Sequence, residues 1–112
     1  MTENEWEPRW EACERALLVA ADSQLALGGE DLDRELVTDF VEQGDFTSAL
    51  LFGTELIREG DERPEARALA ELLIPQVEFL LEAETERPTD PSPAEAYLST
   101  LERLRGVSAG DR

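Results

Sequence analysis

The sequence of 112 residues contains neither lysine nor histidine, so all ten of its basic residues are arginines. Without histidine the chain lacks the usual general base and the commonest metal ligand, and without lysine it cannot form a Schiff base. Cys13 is the only cysteine, so no disulfide can form within the chain. It falls on the apolar side of a helical pattern, which predicts a buried, inert thiol. We therefore expect a protein that is not an enzyme and that uses no cofactor.

Long apolar runs are missing as well. No stretch approaches the roughly 18 apolar residues that a membrane span needs. The acidic N-terminus lacks the basic start and the apolar run of a signal peptide. These features predict a cytoplasmic protein without membrane contact.

Acidic residues, in contrast, are abundant. The chain has 27 of them against ten basic residues, which gives a formal net charge of −17. A surface this negative repels nucleic-acid phosphates and attracts basic proteins. The hydrophobic fraction of 41% still provides for a core, so the charge does not imply disorder of the whole chain. We expect a basic protein as partner and no direct binding of nucleic acid.

The apolar residues recur at helical spacing, and no segment keeps the two-residue alternation of a strand. This pattern predicts an all-α fold, a compact bundle of five or six short antiparallel helices in one domain that spans 1–112. The ends, 1–5 and 106–112, are predicted to be flexible. The proline-rich stretch 87–93 is predicted to be a linker before the last helix.

The first helix is predicted to begin near Glu7, because Pro8 fits a first turn, and to end at Gly28 and Gly29. The second is predicted to run from Asp31, its N-cap, to about Gln43. Its buried face is expected to hold Leu32, Leu36 and Phe40, with Val37 and Val41 as further candidates.

Two glycines and one aspartate are expected to set the helix ends and the helix packing in the middle of the chain. Gly44 is a helix stop, and Asp45 is the cap of the third helix. Gly53 lies within that helix, where glycine costs about 1 kcal/mol relative to alanine. We therefore expect another helix to approach closely at Gly53.

The fourth helix is predicted to start with Pro64 in its first turn and to kink or restart at Pro75, which cannot donate a backbone hydrogen bond. The last helix is predicted to begin with Ser92 as N-cap and to end near Arg105. Its inward residues are expected to be Tyr97 or Leu98, Leu101 and Leu104.

Two groups of charged residues are candidate sites. The acidic run from Glu30 to Asp33 resembles the start of a calcium loop, but Leu36 stands where that loop needs glycine. A helix N-terminus explains the acids instead, and no metal is expected. Four of the arginines are predicted to form surface pairs with Glu59, Glu71 and neighbouring acids: Arg63, Arg67, Arg103 and Arg105.

The segment Val41–Leu50 has the sequence pattern of a helical hairpin: a glycine that ends one helix, an aspartate that caps the next, then an aromatic residue and an Ala–Leu pair. It resembles the turn within a tetratricopeptide repeat, although Val37 and Leu56 depart from that pattern and no second copy follows. The region from Leu36 to Leu73 also resembles the small, acidic helical immunity proteins of the MafI type. That resemblance implies a protein that neutralises a polymorphic bacterial toxin. It does not assign toxin contacts to particular residues of this chain.

Three functions remain open. The first is an immunity or antitoxin-type inhibitor that binds a basic toxin such as a nuclease. The second is a helical adaptor or homodimeric module with an apolar interface, and the third is a nucleic-acid mimic. Trp6 and Trp10 are expected to cover the core, with exposure of Trp6 as an interface anchor the alternative. The candidate partner-binding residues are Trp6, Glu7, Glu11, Glu14, Asp31, Asp33, Glu55 and Glu59, and the chain is expected to be a monomer or a homodimer.

Overall fold

Five α-helices make up the fold that the sequence predicts. The computed structural model describes residues 3–108, with side chains from residue 5 onward. The helices are α1 (Glu3–Ser23), α2 (Asp31–Glu42), α3 (Phe46–Gly53), α4 (Pro64–Glu86) and α5 (Ala94–Ser108). No strand occurs within 3–108, so the all-α prediction is confirmed. The outermost residues of the ends predicted to be flexible, 1, 2 and 109–112, lie outside the described residues.

One hydrophobic core joins the helices. Helix α1 packs against α2, α3 and α4, and α5 packs along α4. Four leucines have no exposed surface and come from four different helices: Leu17, Leu50, Leu73 and Leu104. Helix α1 is therefore central, with three neighbouring helices packed against it. None of the helices within the described range is long and apolar enough to cross a membrane.

Two helix ends differ from the prediction. Helix α1 begins at Glu3 and includes Pro8, whose missing N–H removes a single backbone bond near an open helix end. It stops at Ser23, because residues 24–28 form tight turns in which Gly28 has a φ of 93°. At the other end of the chain α5 continues past Arg105, since Val107 is fully buried.

Helix α2 buries only one side of the face that was predicted, and Phe40 packs partly against the core. Val37 and Val41 are buried, whereas Leu32 is 71% exposed and Leu36 is 38% exposed. Its N-cap is Glu30 rather than Asp31, and the Glu30 N–H donates to the Asp33 carboxylate at 2.6 Å. The predicted capping of α3 by Asp45 is confirmed by a 3.1 Å hydrogen bond from the Ser48 N–H.

The close approach predicted at Gly53 is confirmed. A Cβ built on Gly53 would lie 3.3 Å from the Cβ of Ala20 in α1. The buried side chain of Gln24 bridges the same junction, because its Nε2 donates to the carbonyl oxygens of Ala20 and Gly53, both at 2.9 Å. The absent side chain at Gly53 therefore lets α1 and α3 come into contact.

A kink or a restart was predicted at Pro75; helix α4 runs without a break through this residue, so it does not restart there. The segment 87–93 connects α4 to α5 without regular structure. Pro93 rather than Ser92 directly precedes the first residue of α5, and Ser92 Oγ accepts from the Ala94 N–H at 3.3 Å. Tyr97, Leu101 and Leu104 face inward as predicted, whereas Leu98 is 53% exposed.

The arginines do not all form the local surface pairs that were predicted. Arg63 donates to the carbonyl oxygens of Leu27 and Leu56 and pairs with Asp61, whose carboxylate is nearly buried. Hydrogen bonds from the Arg63 guanidinium hold the pKa of Asp61 well below its usual range. Arg105 reaches across to Glu78 of α4 at 2.8 Å. These contacts connect segments that are distant in sequence, which helical spacing alone does not indicate.

Candidate partner-binding cleft

A cleft of about 470 Å³ opens between α1, the start of α3, the end of α4 and the segment 87–93. Its apolar wall comes from the aromatic rings of α1 and α3 and from the aliphatic surface of α4. The residues of that wall are Trp6, Trp10, Phe46, Leu80 and Ala83. The 87–93 segment, predicted as a linker, forms the opposite rim through Arg87, Thr89 and Pro93. We call this space the aromatic cleft.

Four aromatic rings organise one side of the aromatic cleft. Phe79 is buried and packs edge-on against Trp10 at 4.7 Å between ring centroids, and against Trp6 at 5.4 Å. Phe46 lies 5.7 Å from Trp10. Trp10 remains 37% exposed and Trp6 is half-buried. Both tryptophans thus cover the core and also present part of their surface to the solvent.

The same ring cluster already holds a guanidinium. The Arg9 Cζ lies 4.5 Å from the centroid of the Phe79 ring, and the Arg9 Nη2 donates to Glu82 at 2.7 Å. A planar cation between an aromatic face and a carboxylate is a favourable arrangement for arginine. The exposed surface of Trp10 offers the same chemistry to a cation from outside.

Several polar groups that line the aromatic cleft form hydrogen bonds with other groups of the protein. The hydroxyls of Tyr97 and Thr47 are 2.6 Å apart, and burial raises the pKa of Tyr97 above its usual value of 10. Glu84 accepts from the Thr89 N–H at 2.7 Å, from the Thr89 hydroxyl at 2.8 Å and from the Ser92 hydroxyl at 3.1 Å. Glu84 therefore ties the 87–93 segment to the end of α4 and fixes the position of that rim.

These hydrogen bonds hold the pKa of Glu84 below its usual 4.5, because the donors stabilise the ionised form. The stabilisation is fully present above pH 4.5 and is lost as the pH falls through the lower pKa of the folded state. We expect Glu84→Gln to lower stability at pH 7, and the difference from the parent protein to shrink as the pH falls below 4.5. Urea unfolding at pH 7, 5 and 3 measures it.

Glu86→Gln is the matched control, because Glu86 is an exposed residue on the same helix. This variant should unfold like the parent protein at every pH. A Glu84→Gln deficit that persists undiminished at pH 3 would mean that the side chain acts through packing and not through its charge.

Four of the predicted partner-binding residues come together beside the aromatic cleft. Glu7, Glu11 and Glu14 are exposed on one side of α1, and with Trp6 they line a second, shallower cleft of about 380 Å³. The two clefts share both tryptophans, Phe46 and Arg87. Together they form one continuous surface in which aromatic rings are bordered by carboxylates.

The other four predicted residues lie elsewhere. Asp33 caps α2 through the Glu30 N–H, and Asp31 is exposed in the first turn of that helix. Glu55 and Glu59 are exposed in the segment between α3 and α4. Glu59 borders a surface depression that includes the ion pair of Asp61 and Arg63. The structure therefore does not assemble all eight candidates into one site.

Sequence reasoning missed Tyr97, Glu84 and Thr89 as residues of the aromatic cleft. Tyr97 was assigned only to the core, and it meets Thr47 across 50 positions of the chain. Glu84 is one of 27 acids, and nothing local distinguishes it from the others. The one available signal was that Glu84 precedes Thr89 and Ser92 in a proline-rich segment. Because the prolines prevent a helix there, backbone donors of that segment need side-chain acceptors.

The residues that line the aromatic cleft supply aromatic rings, carboxylates and hydroxyl groups. Cys13 is fully buried, and burial raises the pKa of its thiol to about 12, which keeps it protonated at neutral pH. Across the described part of the chain no three side chains of the metal-binding types come close enough to hold an ion. What the cleft offers is aromatic surface, carboxylates and a fixed rim.

Comparison of the chain with protein-family models, with curated proteins and with solved structures finds no match. The similarity to MafI-type immunity proteins and to a tetratricopeptide helix pair therefore stays a prediction from the sequence.

Proposed function

We propose that this protein is a non-catalytic inhibitor that binds a basic protein directly, in the manner of an immunity protein or antitoxin that neutralises a nuclease-like toxin. The observation that carries the proposal is the grouping of Trp6 and Trp10 with Glu7, Glu11 and Glu14 on one surface. Tryptophan is enriched at binding hot spots, and carboxylates around it complement lysine and arginine on a partner.

The charge of −17 adds a kinetic argument. A nuclease must present basic residues to phosphate, and a strongly acidic protein is steered toward such a surface. The Arg9 guanidinium on the Phe79 ring indicates how an arginine of the partner would sit against Trp10, between a ring face and a carboxylate.

The test uses the full chain as bait in a lysate of its host at low salt, followed by purification of the captured protein and measurement of binding kinetics. The association rate should fall by roughly 10- to 100-fold between 50 mM and 500 mM salt, because screening removes the steering. The captured protein should lose its toxic or nuclease activity at an equimolar ratio.

Trp10→Ala should raise the dissociation rate by about tenfold or more, as expected for a central aromatic anchor. Val19→Ala is the matched control, since Val19 is exposed nine residues further along α1 and points to the opposite side. A salt-insensitive association rate would contradict the electrostatic argument. A stable homodimer in high salt, measured by light scattering, would favour the adaptor function instead.

A further inference from the structure

The outer face of α2 carries an apolar row that the fold covers only in part. Leu32 is 71% exposed and Leu36 is 38% exposed, and Phe40, which is partly buried against the core, follows them at the same four-residue spacing. Residues four apart lie above one another on a helix, so the row extends for about 12 Å along the axis. The inward valines, Val37 and Val41, are the buried residues by which α2 contacts the core, and Phe40 contacts it with part of its ring.

Helix α3 widens this row into a two-helix surface. Phe52 is 40% exposed, and its ring stacks on that of Phe40 with centroids 5.4 Å apart and an angle of 18°. The surface therefore consists of Leu32, Leu36, Phe40 and Phe52, and we call it the α2–α3 face. Single exposed apolar residues are ordinary, but a contiguous row with a stacked aromatic pair marks an interaction surface.

The charges beside the α2–α3 face select the kind of partner. Glu35 and Asp39 are exposed on the solvent side of the row, one turn apart. Asp31 and Glu42 are exposed at the two ends of the helix, and Arg34 is its one basic residue. A second copy of the chain, with net charge −17, would meet this acidic border with its own. An acidic membrane surface would be repelled for the same reason.

We propose that the α2–α3 face docks an amphipathic helix of a partner protein, with leucine-like residues facing Leu32, Leu36 and Phe52 and with lysine or arginine along its edges. Helices bind apolar surfaces through residues at i, i+3, i+4 and i+7. The 12 Å row accommodates about two turns of such a helix. This surface is separate from the aromatic cleft, and the inference does not depend on the proposed function.

The test is a titration of the isotope-labelled full chain with a synthetic helix of about 16 residues that carries leucines at those spacings and lysine or arginine elsewhere. Amide chemical shifts should change at α2 and α3, and calorimetry gives the affinity. A peptide of identical composition in scrambled order should bind at least about tenfold more weakly, since it has the charge without the stripe.

The double variant Leu32→Ser and Leu36→Ser should bind the amphipathic peptide at least about tenfold more weakly and still fold, because both side chains are exposed. Leu98→Ser is the matched control, an exposed leucine on α5, and should bind like the parent protein. Equal binding of the two peptides, unchanged binding by the double variant, or shifts centred on Trp6 and Trp10 would each overturn the proposal. So would the absence of binding, or a homodimer that the double variant dissociates.

Discussion

Replacing Gly53 by valine is expected to lower the free energy of unfolding by roughly 3 kcal/mol, through overpacking and loss of a buried hydrogen bond. The first added atom would already lie 3.3 Å from the Ala20 Cβ and 3.7 Å from the Val37 Cγ1. The two methyl groups of valine have to enter the same space. Because α1, α2 and α3 meet there, relief requires that a whole helix moves.

A shift of α3 away from α1 also affects Gln24. This side chain is 1% exposed, and its amide donates to the Gly53 carbonyl across the junction. Lengthening that bond leaves a buried carbonyl oxygen without its donor, which adds to the cost of overpacking.

Gly106→Val is the matched control for Gly53→Val. Gly106 is also a helical glycine, but a Cβ built on it meets no atom within 4 Å. Valine there should leave stability within about 0.5 kcal/mol of the parent value, because its helix propensity is slightly better than that of glycine. Urea unfolding followed by tryptophan fluorescence measures both variants, and similar losses at the two positions would contradict the close α1–α3 contact.

Local signals explain why most of the fold could be predicted. The helix stop at Gly44, which has a φ of 76°, and the cap at Asp45 depend on the backbone of a few adjacent residues. The close approach at Gly53 could be predicted because glycine inside a helix has a cost that packing must offset. None of these inferences required knowledge of which helices are neighbours.

The face of α2 could not be predicted, because its apolar residues cover a wide arc. Leu32, Leu36 and Phe40 lie on one side of that arc, and Val37 and Val41 lie on the other. Spacing shows that the arc exists, but the positions of α1 and α3 decide which part becomes buried. Of the larger side chains that were expected in the core, Phe40 packs partly against it, whereas Leu32 and Leu36 are exposed.

The candidate site likewise has one part that the sequence predicts and one part that it does not. Helical spacing on α1 alone brings Glu7, Trp10 and Glu11 together, so their grouping was available from the sequence. The opposite wall, with Glu84 and Tyr97, depends on the course of 87–93 and on the approach of α5. Those are tertiary facts that no local pattern encodes.

Arg103→Met is the second substitution with a large expected effect, a loss of roughly 3 kcal/mol of unfolding free energy. The guanidinium donates to the carbonyl oxygens of Thr54 at 2.8 Å and Ile57 at 2.6 Å, and to the Thr54 hydroxyl at 3.0 Å. Thr54 is fully buried, and Ile57 is 1% exposed. Methionine fills much of the space of the arginine stem but removes the donor of the Ile57 carbonyl and one of the two donors of the Thr54 carbonyl, which keeps the Ile57 N–H at 3.1 Å.

At this position the positive charge of Arg103 is favourable in addition to its hydrogen bonds. Thr54 is the C-cap of α3, where the helix dipole is negative and a cation is favourable. Arg103→Lys keeps the charge but presents a compact ammonium in place of the planar fork, so it should recover part of the loss and not all of it. Amide hydrogen exchange in 54–63 should accelerate most in Arg103→Met and less in Arg103→Lys.

Arg105→Met separates the role of Arg103 from the general effect of removing an arginine from α5. Arg105 pairs with Glu78 at 2.8 Å, but the two side chains are 57% and 50% exposed. Exposed pairs contribute little, so this variant should lose less than about 1 kcal/mol and leave exchange in 54–63 unchanged. Equal losses for Arg103→Met and Arg105→Met would mean that the turn after α3 is held by its own backbone, and that Arg103 only covers it.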